Sequence, residues 1–538
     1  MAATERQGEA ITKHDRSMVV TAGAGTGKTY VLVQKYIDLL KTRNVTVPQI
    51  LALTFTDKAA AEMKERIRAE ILKKEGPEWE KASEDFMIAP VQTFHSFCAQ
   101  VLREFPIEAG LEPGFAVLDE QQTSRIHSTA YEELIHTRQD GPVNEALVHE
   151  ALVHVLSITD QHILKTILYA LYGKREQYAQ FFAALGKDEN HILDVWKTEV
   201  NAFRDSEITA LRNDPSFSLC VRTLLGFASA YEGVDDKAAV FLQEIRPLLL
   251  RLAEPIDPGE FCSAALELVG SKPGNIGSKK VWKPDDLDDF KKARKNLYEI
   301  IERKNFLFRM TVDTADPVIT GSVRFLRDLS VVFLRYAELV GDGKASVGGL
   351  DFSDLILHAR QLFVEQRALV STHFMPRFRY ILVDEFQDTD LAQFDIILAI
   401  IGTPSPATDC LFIVGDPKQS IYLFRDADVT RFKEAQEIIS AACKGRVVNL
   451  DTSFRSTKEV IGLSNHIFSQ LLASAEKPWE FGYEPVRISE SRASHAGSVE
   501  LLLPPKGSDA AGTKRNEAGM LARRIHSIVN AQPLFVYS

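Results

Sequence analysis

No run of the 538-residue sequence approaches the ~18 uninterrupted apolar residues of a membrane span, and none of its five cysteines lies in a CxxC pair. The first absence excludes an ordinary transmembrane helix. The second excludes a cysteine zinc site. Because Cys98, Cys220, Cys262, Cys410 and Cys443 are far apart and odd in number, a disulfide framework is excluded too, so buried thiols are expected. The opening residues, MAATERQGEAITKHDRS, lack the basic-then-apolar order of a secretory signal, which makes a cytoplasmic location the expectation. A basic excess is also missing. The net charge is -11, with a pI near 5.7, which taken alone counts against a nucleic-acid partner. Phosphate backbones, however, respond to the local field of a groove rather than to the molecular sum. Aromatic residues make up only 9% of the chain, and there is neither an internal repeat nor a low-complexity tract.

What is present has a regular grammar. Short β-branched or apolar runs at 18–22, 50–55 and 91–93 each lead through a polar junction into a helix-period stretch, and the pattern resumes at 380–384, 411–415 and 447–450. This is the signature of βα units and a parallel sheet. Between Phe97 and Asp351 the periodicity is helical, with few strand signals, as at 131–135, 241–252 and 290–308. A chain this long exceeds one hydrophobic core, which stops growing near about 250–300 residues. The fold class expected is therefore α/β: a parallel sheet with a large all-helical insertion and part of a second domain. The expected divisions are 1–105 and 351–444 for the sheet domain, 106–350 for the insertion, and 445–538 for the start of the second domain. Near the chain's end, 499–502 reads as a strand and 517–529 as a helix.

The first strand runs into AGAGTGKT, Ala22, Gly23, Ala24, Gly25, Thr26, Gly27, Lys28 and Thr29. The spacing G-x-x-x-x-G-K-[ST] lets backbone N–H groups wrap a phosphate, with the lysine on the β- and γ-phosphates and the hydroxyl on magnesium. Alanine stands at the first place, a small residue where glycine is usual. The expected ligands are a nucleoside triphosphate and Mg2+. Its second half is YILVDEFQDTD, where an apolar strand delivers Asp384 and Glu385 at its carboxyl end. Asp384 is expected to hold the magnesium together with Thr29, and Glu385 to orient and deprotonate the attacking water. A guanine reader of the N-K-x-D type is absent from TFTDKAA, which argues against a GTP switch.

These residues resemble the UvrD/Rep branch of superfamily 1 helicases, and within it the large helicase-nuclease subunits of the RecB and AddA type, favoured by the size of the insertion. The resemblance rests on an ordered series: ERQGEAI, AGAGTGKT, LTFTDKAAAEMKERI, QTFHSF, LDFSDLI, VDEFQDT, VGDPKQSIYLFRDAD and LDTSFRS. It implies that the sheet is a P-loop RecA-like ATP-binding domain followed by part of a second RecA-like domain. It also implies that Gln7 reads adenine, that Phe454 stacks on it, that Gln419 beside Asp416 senses the γ-phosphate, and that Arg455 reaches that phosphate across the cleft. The chain departs from the family at Ser453 and Asp57, where asparagine is common, and at Phe454, where tyrosine is frequent. The two strand-binding segments imply single-stranded DNA contact by Phe55, Thr56, Phe94 and His95, joined by Tyr422, Phe424 and Arg425. Each of the aromatic rings among these serves either base stacking, worth ~1–3 kcal/mol per base, or core packing. Arg425 holds either the junction or a phosphate. Polarity, 3′→5′, comes from the resemblance alone, and so does the expected partner, a second helicase-nuclease subunit.

The family's later KGLE-like and TRA-like motifs do not occur between Lys458 and Ser538. A missing arginine finger costs roughly 10³–10⁵ in rate. The chain is accordingly expected to be an N-terminal portion that binds ATP and DNA but hydrolyses and unwinds poorly by itself. The alternative is an ATP-switched single-stranded DNA-binding protein. Within the insertion, Asp285, Asp286, Asp288 and Asp289 follow Pro284; acids stabilising a helix start is the favoured reading over a metal site. The basic loop SKPGNIGSKKVWK, with Trp282, is either a nucleic-acid contact or solvated surface.

Overall fold

Strand residues with alternating side-chain directions need two apolar coverings, and the sheet of this protein has both. The computed structural model describes residues 3–137, 143–176, 178, 181–182, 189–254, 257–274, 276–313, 315–402, 409–423, 427–475, 477, 479–507 and 509–531. They divide into two compact units, Met1–Asp119 with Gly348–Ser538, and Glu120–Val347.

The first unit carries six parallel strands: β1 (Met18–Ala22), β2 (Ile50–Thr54), β3 (Val91–Thr93), β4 (Tyr380–Val383), β5 (Leu411–Gly415) and β6 (Arg446–Leu450), in the order β3-β2-β4-β5-β1-β6. Register is set by Val19 opposite Ile413, Val383 opposite Ile413 on the other side of β5, and Leu53 opposite Val383. On one face Val19, Leu53, Val383 and Ile413 join the apolar side chains of α4 (Phe94–Glu104), α5 (Phe352–Glu365), α6 (Leu391–Ile400) and α7 (Thr430–Ala441). On the other, Val20, Ala52, Leu382 and Val414 meet those of α1 (Glu5–Thr12), α2 (Lys28–Thr42) and α3 (Asp57–Ile71). Neighbouring residues of one strand thus belong to different cores. All strands run the same way, so their carboxyl ends share one edge of the sheet, and the loops that follow β1, β4 and β5 converge there.

Two local readings differ from this structure. Residues 446–450, expected to open a second domain, pair with β1 from Met18↔Arg446 to Ala22↔Leu450, so the first sheet continues past the division at 444/445. Hydrophobic spacing gives no clue to which sheet a strand joins. Residues 499–502 form no strand; Leu501 is exposed and no described strand pairs with that segment. The helix expected at 517–529 lies within Ala510–Ala531. The helix Lys458–Leu471 buries none of its residues, leaving Leu463, Ile467 and Phe468 on the surface.

The second unit is helical, with two apolar cores, one built from residues between 208 and 308 and one from 130–192 with 323–340. Pro284 opens the helix Pro284–Arg303, with Asp285 and Asp286 in its first turn, as a helix start requires. Among the described residues no cluster of three or more acids, histidines or cysteines is placed to hold a metal. Trp282 is closed off from any nucleic acid. It is 2% exposed, stacks on Tyr231 at 3.9 Å between ring centroids, and donates its indole N–H to Asp236 at 2.8 Å. An indole that finds both an aromatic face and a carboxylate inside the fold has no reason to stay in water. Trp282→Ala is expected to cost the helical unit roughly 3–5 kcal/mol of unfolding free energy, read as a shift in its urea midpoint.

Candidate functional site

The turn between β1 and α2 is made possible by two glycines. Gly25 has φ 78° and Gly27 φ 88°, conformations that a side chain resists. Gly27 is the residue before α2 and offers no side-chain cap, so the first N–H groups of that helix face the loop unpaired by a side chain. Thr26 is buried and donates from its hydroxyl to Gly23 O at 2.8 Å, tightening the turn. Two distant segments hold this loop from outside. Gln7 donates to Thr26 O at 2.9 Å, and Phe454 N donates to Gly25 O at 2.8 Å. A Cβ on Gly25 would lie 2.6 Å from Arg455 Cβ and 3.0 Å from Ser453 Oγ, so only glycine admits that approach.

Lys28 is the first residue of α2. Its Nζ lies 2.7 Å from Glu385 Oε2, joining positions 357 residues apart. Asp384 continues the β2–β4 ladder by donating its N–H to Leu53 O at 2.9 Å, and its Oδ1 accepts from Glu385 N at 3.0 Å. Glu385 has φ 49°, a left-handed conformation unusual for a side chain-bearing residue and frequent at functional sites. Burial, followed by the charge of Glu385, pushes the Asp384 carboxyl up to about 6, while Lys28 opposes the shift. Asp388 is also pushed up to about 6, by burial and then by Glu385, and its Oδ1 is buried with no hydrogen-bond partner.

Gln387, which motif reading left without a role, ties the two acid-bearing loops together. Its Nε2 donates to Glu385 Oε2 at 2.8 Å and to Asp388 Oδ2 at 3.3 Å, and its Oε1 accepts from Asp416 N at 2.9 Å. A Cβ on Gly415 would lie 2.6 Å from that Oε1, which explains the glycine that ends β5. Only its place two residues after Glu385 in VDEFQDT hinted at this. Asp416 in turn accepts from Gln419 Nε2 at 2.7 Å and pairs with Lys418 at 3.1 Å. Its Oδ2 would be 4.0 Å from a Cβ on Gly23, so this group, too, stands beside the loop.

The structure therefore brings Gln7, the residues Ala22 to Thr29, Asp384, Glu385, Gln419, Phe454 and Arg455 to one sheet edge. Arg455 is exposed and Phe454 half-buried. The residues fit a magnesium–triphosphate. Asp384 and Asp388 are buried where their ionised forms are disfavoured, one carboxylate oxygen is orphaned, and a helix N-terminus with open N–H groups faces the loop. Thr29 and Asp384 are the protein groups that would share such an ion, whose remaining positions phosphate oxygens and water would fill, as magnesium commonly requires.

The expected strand contacts divide. Phe55 and Tyr422 form one ring pair, centroids 5.0 Å apart. His95 sets its ring edge-on to Phe352 at 5.6 Å. Thr56 is the N-cap of α3, its hydroxyl accepting from Ala59 N at 3.1 Å. Phe94 is 3% exposed within the sheet core and offers no face to a base; following β3, it points where α4 packs. Phe424 and Arg425 lie outside the described residues.

Known proteins are similar to this chain in sequence. A family model described as the UvrD/REP helicase N-terminal domain matches residues 3–439. The chain is 27% identical over 541 residues to an ATP-dependent helicase/nuclease subunit of Listeria monocytogenes, covering 93% of this chain and 42% of that protein. It is 28% identical over 508 residues to the like-named protein of Syntrophomonas wolfei, covering 89% and 39%. The like-named Geobacillus kaustophilus protein is 27% identical over 588 residues, covering 99% and 45%. The chain thus spans less than half the length of these curated relatives. No helix among the described residues is long and apolar enough to cross a membrane.

The raised Asp384 carboxyl sets a stability test. Its folded value of about 6 lies above the ordinary 3.8, so the fold disfavours the ionised form. The resulting cost is absent below pH ~4, grows between ~4 and ~6, and is full above that. Asp384→Asn is expected to stabilise the metal-free protein at pH 8 by up to about 3 kcal/mol, with no gain at pH 4. Thermal melts at the two pH values check it.

Proposed function

The chain belongs to the UvrD/REP helicase N-terminal domain family, and on that premise we propose that it is the ATP-driven motor portion of a DNA helicase or translocase of the RecB/AddA type. Its substrates are ATP and DNA, presented as a single strand or a duplex end, and its movement is 3′→5′. The process it serves is recombination and double-strand break repair in the cytoplasm, beside a second helicase-nuclease subunit.

The observation that carries this reading is the 2.7 Å pair between Lys28 and Glu385 at the mouth of a glycine turn. In the proposed reaction the backbone N–H groups of residues 23–29 and the Lys28 ammonium hold the phosphates. Thr29 and Asp384 would hold a magnesium ion, which when bound would supply neutralisation of phosphate charge. Glu385 orients the attacking water and takes its proton; Gln387, bonded to the same carboxylate, keeps that oxygen aimed. Gln419 and Arg455 read the γ-phosphate, Phe454 covers the adenine and Gln7 reads its edge. The Phe55–Tyr422 pair, with Thr56 beside Phe55 in sequence and His95 after β3, is the proposed stacking platform for the strand. Tyr422 follows the phosphate-reading segment by three residues from Gln419, which supports coupling between nucleotide state and base stacking.

Steady-state ATP turnover with and without single-stranded DNA tests the proposal. Addition of DNA is expected to raise turnover about tenfold or more, and Glu385→Gln to lower it by roughly 10²–10⁴ while nucleotide still binds. Lys28→Ala is expected to abolish nucleotide binding. DNA binding that depends on ATP without turnover would replace the motor by an ATP-switched binding protein. Unchanged nucleotide affinity in Lys28→Ala would end the assignment of the site.

A further inference from the structure

Gln7 is tied into the fold on two of its four side-chain valences. A primary amide has two N–H donors and two acceptor lone pairs. Here Nε2 donates to Thr26 O at 2.9 Å, and Oε1 accepts from Thr4 N at 3.1 Å, while Thr4 Oγ1 accepts from Gln7 N at 3.2 Å. The last two bonds are the capping box of α1, with Thr4 as N-cap. These partners fix which way the amide faces, since Thr26 O needs a donor and Thr4 N an acceptor. Gln7 is 3% exposed, and a Cβ on Gly27 would fall 2.9 Å from its Nε2. The side chain is therefore packed directly on the turn that precedes Lys28.

From this geometry, and resting on the triphosphate reading of the site, we infer that Gln7 is a positioning residue for the phosphate loop as well as a reader of the base. One edge of its amide holds the Thr26 carbonyl, and with it the left-handed turn at Gly27. One N–H and one lone pair remain. Adenine presents an acceptor at N7 and a donor at its 6-amino group, and this pair matches that remainder; guanine presents two acceptors there. The same amide thus links base and phosphate recognition. Purine contact stiffens a bond that the loop uses to hold phosphate, and the loop bond orients the amide before any base arrives. Helix α1 is itself anchored, with Arg6 donating to Asn449 O at 2.9 Å and Glu9 pairing with Arg446 at 3.1 Å, so the clamp pulls against β6 rather than against a free helix.

The test separates loop from base with inorganic tripolyphosphate, a probe that has no base, alongside ATP and GTP, all with magnesium and the whole 538-residue chain. Gln7→Met keeps the length and removes all the amide's bonds. Tripolyphosphate affinity is expected to fall roughly threefold to tenfold, as for one lost hydrogen bond, and ATP affinity to fall further, narrowing the ATP-to-GTP preference. Thr4→Val removes the cap hydroxyl while leaving the Gln7–Thr26 bond, and is expected to lower the melting temperature slightly with both affinities unchanged. If Gln7→Met leaves tripolyphosphate binding intact, the residue reads only the base and the clamp is overturned. If Thr4→Val weakens tripolyphosphate as much as Gln7→Met, the effect passes through the folding of α1 and the clamp is likewise overturned. A wild-type chain that binds neither ATP nor tripolyphosphate takes away the triphosphate reading itself, an outcome distinct from either.

Discussion

A lysine at the first position of a helix is in the wrong place for its own backbone. The N-terminus of α2 carries about half a positive charge from its aligned peptide dipoles, and Gly27 supplies no side-chain acceptor to offset it. Adding the Lys28 ammonium makes a concentrated positive spot that requires an anion. In this structure Glu385 is that anion. Getting it there demands the whole sheet. β4 must lie parallel to β5, and β5 to β1, with Val19 and Val383 both opposite Ile413, so that the loops after β1 and β4 end at the same height. A phosphate arriving at Lys28 competes for the ammonium that Glu385 holds. On the proposed reading, the charge that would draw a nucleotide in is the charge that restrains the carboxylate until then.

The loop around that ammonium is shaped less by itself than by what grips it. Its carbonyls at Gly25 and Thr26 are taken by Phe454 N and by Gln7, from segments at opposite ends of the described chain. Both grips work only because Gly25 and Gly27 lack a Cβ. β6 explains how a residue as distant as Phe454 arrives. Paired with β1 over its whole length, it delivers the 453–455 turn alongside the turn that follows β1. The sheet therefore places groups beside the glycine turn from both neighbours of β1: Asp416 after β5 and the 453–455 turn after β6.

Much of this was legible in the residues. The glycine turn, the acids after an apolar strand and the βα alternation are local patterns whose periods and spacings carry their own physical reasons, and the parallel sheet follows from them. What escaped reading depended on partners far away in sequence. Gln387 looks like any polar loop residue until Asp416 is seen to donate to it. Trp282 sits in a basic, glycine-rich loop that reads as surface, and only Tyr231 and Asp236, some fifty positions back, give it an interior home. Phe94 and Phe55 are similar in sequence, each an aromatic ring at the end of a strand. Yet one is sealed into the core and the other lies against Tyr422, because the first opens a helix packed on the sheet while the second precedes the cap of one. The run at 499–502 differs for a related reason: an apolar run becomes a strand only where another strand pairs with it, and no described strand does.

Acid accumulates at this edge of a chain of net charge -11, and the proposed ligand is itself an anion. Asp384 and Asp388 are held in surroundings that disfavour their ionised forms, and Lys28 offsets only part of that. Burying charged carboxylates without full compensation is costly, and a fold optimised for stability alone would replace them. The imbalance has a use. A site whose acids were fully satisfied when empty would gain little by taking up a divalent ion, whereas one whose buried carboxylates are disfavoured as anions gains both the attraction of the ion and relief from mutual repulsion. The ion then brings positive charge to the place where a triphosphate's negative charge is greatest. Local excess of acid and affinity for an anionic ligand are therefore not opposed, because the cation stands between them. The overall charge of the molecule has no part in that balance, which is struck within a few ångströms of Lys28.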